Sequence, residues 1–293
     1  MIEPATIRLR VDPTNPGQFL ACCGLLELAG RLWPGVEASF DASTRFFRIL
    51  SPAQGISLGT LIQELVDCEL ANAMSIAQVR RREDLAALPK SERDAPSYPK
   101  AEKDALDKMW REAAIELRDP FRIRVDWFLD GRAGGDDFKT WAGQQSVFDI
   151  ARGMKSALDA SARNSVPPED WLIGGPRIGR PPFNFDSDLG ALGSDRDIGF
   201  SCDPLQLTVQ ARPRVELLAF IGLQRFRPTP SRAGERGCYQ FAQWLDPLPP
   251  EVASAAACGL LDLPKSQAFE FRLLYRTKYL KSFLPAKPIG GVR

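Results

Sequence analysis

The chain of 293 residues contains no histidine. That absence removes Ser-His-Asp and Cys-His catalysis, histidine-ligated zinc and His-Asp metal nuclease sites from within the chain. Carboxylate, lysine or tyrosine chemistry stays open, as does no chemistry at all. The six cysteines, Cys22, Cys23, Cys68, Cys202, Cys238 and Cys258, form no CxxC pair and no regular framework. They read as reduced, mostly buried thiols rather than disulfides or zinc ligands. No apolar run reaches the roughly 20 residues that span a bilayer, because Asp12, Glu27 and Arg31 bracket the most hydrophobic segment. The opening MIEPATIRLRVD carries charges where a signal peptide needs an apolar core, so a cytoplasmic location is expected. Net charge is also scarce, at a formal +1, which excludes a uniformly basic surface.

What is present is unevenly distributed. From Lys265 to Arg293 there are seven Lys/Arg against the single acid Glu270, whereas Asn184 to Asp197 holds four Asp against one Arg. Local patches of this kind are what a polyanion meets. With 44% hydrophobic residues the chain is long enough to bury a large core.

Hydrophobic patterning predicts an α+β protein, mostly antiparallel sheet packed by helices, with RRM/ferredoxin-like elements as one option. Strands are expected over 5–11, in a hairpin of GVEASF and RFFRIL, over 121–128 with Arg122 and Arg124 on the wet face, around 238–245, and over 269–283. Helices are expected from Asn15 and Pro16 onward, over 57–70 with Ser57 as its cap, and over 101–117, 144–160 and 211–226. The domain boundaries suggested are 1–162, with a charged, proline-containing loop at 86–100, and 163–293, which is richer in loops; a single continuous domain is the other option.

The first helix, in NPGQFLACCGLLELAGRLWPG, is apolar over nearly its whole circumference. Cys22 and Cys23 point about 100° apart and cannot face one ligand. They read as small packing residues, with Gly24 giving the closest approach.

Further along, GRAGGDDFKTWAGQQS places a glycine-rich turn, Lys139, Trp141, Gln144 and Gln145 just before a helix. Amides at such a turn attract phosphate, Trp can stack a base and Gln can bond base edges. A hairpin turn with a core tryptophan explains the same residues. The spacing matches neither GxxxxGK[ST] nor GxGxxG, so no nucleotide-triphosphate site is expected. Arg177 and Arg180 beside Phe183 and Phe185, Arg225 and Arg227 in GLQRFRP, and Arg272, Arg276 and Lys278 at even spacing on one strand face complete the candidate nucleic-acid contacts. Asp186, Asp188, Asp195, Asp197 and Asp203 lie in a Gly/Ser-rich stretch and read as turn-forming or salt-bridging rather than metal-ligating.

Three blocks, NPGQFLACCGLLELAGRLWPG, FKTWAGQQSVFDIARGM and VELLAFIGLQRFRP, resemble CRISPR-associated proteins of the type I-U (I-G) systems. The resemblance implies a non-catalytic subunit of a crRNA-guided, Cascade-like effector complex, with no cofactor or metal of its own. Its expected partners are crRNA and/or target DNA, neighbouring effector subunits and a separate helicase-nuclease. A large-subunit role and a backbone role are both open. Guide pairing reads sequence in such systems, so the protein needs backbone contacts and a few base contacts, which Lys139, Trp141, Gln144 and Gln145 would supply. Two alternatives from other classes are a small divalent-metal enzyme using the 186–203 carboxylates, and a protein-interaction scaffold without nucleic-acid contact.

Overall fold

The computed structural model describes residues 5–41, 43–53, 55–132, 134–141, 145–161, 166–175, 177–179, 182–188, 210–231, 234–261, 263–275 and 281–290. Gln144, Arg180, Asp195, Asp197, Asp203, Arg276 and Lys278 lie outside them.

Helix α1 spans Pro16–Leu32. The Asn15 side chain accepts from the Gln18 amide at 3.2 Å, and Pro16 occupies the first turn, where its missing N–H costs nothing. Every residue from Pro16 to Ala29 is buried, as an all-round apolar helix must be. Strands β1 (Ala5–Arg10), β2 (Glu37–Asp41) and β3 (Phe46–Ser51) form a sheet in the order β1–β3–β2 with both pairings antiparallel. The strand joined to β1 through α1 thus leaves a slot that β3 fills, the order of a split βαβ unit. Ile7, Leu9, Phe47 and Ile49 point inward and are buried.

Helix α2 (Leu58–Asp67) starts where expected, with Ser57 Oγ accepting from the Thr60 amide at 3.0 Å. A second antiparallel sheet, β4 (Leu70–Asn72), β5 (Ile115–Leu117) and β6 (Ile123–Val125), follows in that order. Between β4 and β5 lie α3 (Ile76–Ala87), α4 (Lys90–Arg93) and α5 (Lys100–Glu112). Arg81 closes on Glu102 through two bonds of 2.8 and 2.7 Å, and Arg82 on Asp107 at 2.8 Å. Arg81 and Arg82 of the Arg80–Arg82 triplet therefore pin α3 to α5. The helix expected over 101–117 stops at Glu112 because Ile115–Leu117 pairs with strands on both sides. The strand expected over 121–128 ends at Val125, because the amides of Asp126 and Trp127 both donate to Gln224 Oε1, at 2.9 and 3.0 Å. Arg122 and Arg124 are exposed, as expected.

Helix α6 runs Val147–Ser161; strand β7 (Ile178–Gly179) pairs with β8 (Gln210–Ala211). Helix α7 (Pro213–Gly222) precedes β9 (Thr229–Pro230), β10 (Cys238–Trp244), helix α8 (Pro250–Ala257), β11 (Ser266–Tyr275), β12 (Lys281–Phe283) and β13 (Lys287–Ile289). Strands β12, β11, β10 and β9 lie side by side in that order, with β13 also on β11. The segment expected as one strand or hairpin arm over 269–283 is thus a hairpin of β11 and β12.

Helices α1 and α7 cross at two glycines. A Cβ at Gly24 would overlap the Leu218 carbonyl, and one at Gly222 would overlap the Leu20 carbonyl. On α1, the Phe19 ring lies 5.6 Å from Phe40 of β2 and 4.2 Å from Phe241 of β10, so the helix is packed between both halves. One contiguous core runs from Ile7 to Ala286 across the 162/163 boundary. Among the described residues, no helix is long and apolar enough to cross a membrane.

Candidate nucleic-acid interface

The glycine-rich turn owes its shape to packing. A Cβ at Gly135 would overlap the Trp127 carbonyl, and Gly134 has φ +70°, a conformation that side chains disfavour. The amides of Gly134, Gly135 and Asp137 donate to the carbonyls of Gly131, Asp130 and Gly134. Three amides of the phosphate cradle expected there are thus already engaged.

Trp141 is corrected. Its ring is 2% exposed and sits 5.9, 5.6 and 5.3 Å from the rings of Trp127, Phe128 and Phe183. In this arrangement it stabilises the core and offers no face to a base. Lys139, half-buried, carries its ammonium 5.9 Å from the Trp141 ring and has no acidic partner among the described residues. Gln145 is half-buried just ahead of α6.

The turn docks on the β11/β12 hairpin. Phe138 packs against Tyr239 (4.7 Å) and Phe283 (6.2 Å). The Lys281 amide donates to the Thr140 carbonyl at 3.2 Å, and its Nζ donates to the Asp137 carbonyl at 2.8 Å. Tyr275, opposite Lys281 across the hairpin, is 45% exposed and lies over Gly237, where a Cβ would sit 2.9 Å from the ring. Partial burial and then the negative charge of Asp137 raise the Tyr275 hydroxyl pKa, against the opposing effect of Arg236. Its phenol is therefore neutral at physiological pH. The result is a surface with an accessible aromatic ring next to Lys281, on the hairpin that also receives the Lys139-bearing turn.

The other candidates are dispersed. Arg272 is exposed but paired with Glu235. Arg225 Nε lies 2.7 Å from the buried Glu27 carboxylate, which also holds Arg31, and Arg227 lies 3.2 Å from Asp130. Arg225 and Arg227, expected as nucleic-acid contacts, thus each neutralise an acid of their own chain. Arg177 is exposed.

Tyr275 and Lys281 were not among the expected contacts. The signal for them is the run Tyr275–Lys281, which holds two tyrosines and three cations, Lys281 included. Even spacing directs attention to Arg272, Arg276 and Lys278 instead, of which Arg276 and Lys278 lie outside the described residues.

The acidic stretch matches its salt-bridging reading where it is described. Asp186 is fully buried, with Oδ2 2.5 Å from Arg212 Nε and Oδ1 accepting from Asn15 Nδ2 at 2.8 Å. Asp188 meets the same guanidinium at 2.6 Å. Burial alone would lower the Arg212 pKa, but hydrogen bonds and charge from both aspartates outweigh it and raise it. The two described carboxylates of the metal-enzyme alternative, Asp186 and Asp188, are committed to one arginine. Among the described residues, no three acidic or cysteine side chains gather as a metal site requires. Compared with known protein families, curated proteins and solved structures, the chain matches none of them.

Proposed function

We propose that the chain is a nucleic-acid-binding, non-catalytic subunit of a crRNA-guided type I effector complex. In this reading it works in the cytoplasm beside other effector subunits, and a separate helicase-nuclease cuts. The observation that supports it best is the docking of the Lys139 turn onto the β11/β12 hairpin, which sets the exposed Tyr275 ring beside Lys281. An aromatic platform flanked by cations binds single strands through stacking and phosphate contacts, with little sequence preference. That is the demand on a protein whose guide does the reading. The test is affinity purification from cells carrying the native gene cluster, followed by sequencing of the RNA that stays bound. Enrichment of repeat-derived guide RNA over total RNA is the expected result. A bound pool that mirrors total RNA would contradict the assignment.

A further inference from the structure

The outer face of the β1–β3–β2 sheet carries a cationic cluster that the reading above does not use. Arg8 and Arg48 stand directly opposite each other in the β1–β3 register, and Arg10 lies two residues along the same face. Like charges directly opposed across strands destabilise a sheet. Arg8 lies 3.7 Å and Arg10 5.4 Å from the Phe46 ring centroid, both guanidiniums covering that buried ring.

Compensation within the chain is partial. Arg10 has a close partner in Asp170 at 2.8 Å, whereas Arg8 meets Glu169 only at 3.8 Å with both side chains about half exposed. Arg48 lies 3.5 Å from Asp41, whose carboxylate already accepts from Ser43 and Thr44. Arg48 Nε is buried and has no hydrogen-bond partner among the described residues.

We propose that this sheet face, through Arg8, Arg10 and Arg48, is a second binding surface for single-stranded nucleic acid, gripped by its phosphates. Strand positions two residues apart on one face, such as those of Arg8 and Arg10, are about 7 Å apart at ~3.4 Å per residue, a spacing close to that of phosphates along an extended strand. Planar forks of donors suit phosphate oxygens. Of the large apolar side chains on this face, Phe46 is buried and Leu50 half-buried, so the surface offers no fully exposed wedge to a lipid bilayer. The acidic turn Pro168–Asp170 lies alongside β1 and occupies part of the phosphate position.

The surface rests on the nucleic-acid reading only for the choice of ligand, and the test separates the two. Binding of a fluorescein-labelled 30-nucleotide single strand is measured by anisotropy across a salt series for the wild type, Arg8→Gln/Arg48→Gln, Glu169→Gln and Lys139→Ala; phosphatidylserine vesicles are run in parallel. The double variant is expected to bind the strand about tenfold more weakly. Its salt slope should be shallower by about 1.4, because each phosphate left unneutralised takes away roughly 0.7. Its melting temperature should stay level or rise, because a like-charge pair is gone. Glu169→Gln should bind about threefold more tightly. Wild-type affinity and slope in the double variant would overturn this surface, and weakened binding in Lys139→Ala alone would leave only the turn. Weakening confined to the vesicles would overturn it in favour of a lipid.

Discussion

Asp41 accepts hydrogen bonds from the Ser43 hydroxyl at 2.7 Å and from the amides of Ser43 and Thr44 at 3.1 Å each. These bonds from Ser43 and Thr44 lower its pKa from 3.8 to about 2. A carboxylate whose folded pKa lies below its unfolded one stabilises the fold above about 3.8, and that contribution is lost as pH falls through about 2. Solvent screening keeps it small at this partly exposed position. Asp41→Asn should therefore lower the urea midpoint slightly above about pH 4 and flatten its fall between about 4 and about 2. An identical acid limb in variant and wild type would contradict the assigned turn geometry.

At the same scale, the buried Asp186–Arg212 pair contributes mainly by mutual dependence: losing one partner of such a pair costs about 3–5 kcal/mol, since the other charge stays buried. Through Asn15 and Arg212 it joins the caps of α1 and α7. A salt-bridging role for Asp186 was readable from composition, but its arginine was not, because Arg212 lies 26 positions away. The same limit explains Trp141. A tryptophan after a glycine-rich turn looks like a stacking residue until Trp127, Phe183 and Phe220 close around it, and none of those is a sequence neighbour.

Among elements, the α1/α7 crossing holds the two halves together. Its glycines permit backbone contact that no side chain would fit, so Gly24→Ala or Gly222→Ala must push the helices apart. Overpacking of this kind costs about 1–3 kcal/mol, and overlap with a rigid carbonyl places both variants near the upper end. Chemical denaturation measures it; a destabilisation below about 0.5 kcal/mol for both, well under that range, would contradict the crossing. Helix α1 was legible because its signals are local: Asn15, Pro16 and the apolar circumference. The close approach at Gly24 was legible as well, its partner Gly222 was not. Strands β4 and β5 escaped because each is three residues long and they pair across the α3–α5 insertion. The early end of β6 depends on Gln224, which no pattern within 121–128 announces.

For the whole molecule, one core spans both halves, and the two proposed surfaces lie on antiparallel sheets. The α+β class and the antiparallel pairing followed from alternation and turn residues. The proposed interface followed only in part: the turn and the basic final strand were marked, while the Tyr275–Lys281 pairing needed the antiparallel register of β11 and β12. Trp141→Ala would empty a core position, so Tyr275 is the residue that probes binding. The most direct measurement is single-strand binding by a folded Lys139→Ala/Tyr275→Ala variant, with circular dichroism and melting temperature as controls for folding. Losing a stacking ring is worth about 1–3 kcal/mol, so affinity should fall by about tenfold to a hundredfold while melting stays close to wild type. Undiminished binding by the folded variant would contradict the claim that this turn and hairpin form the nucleic-acid interface.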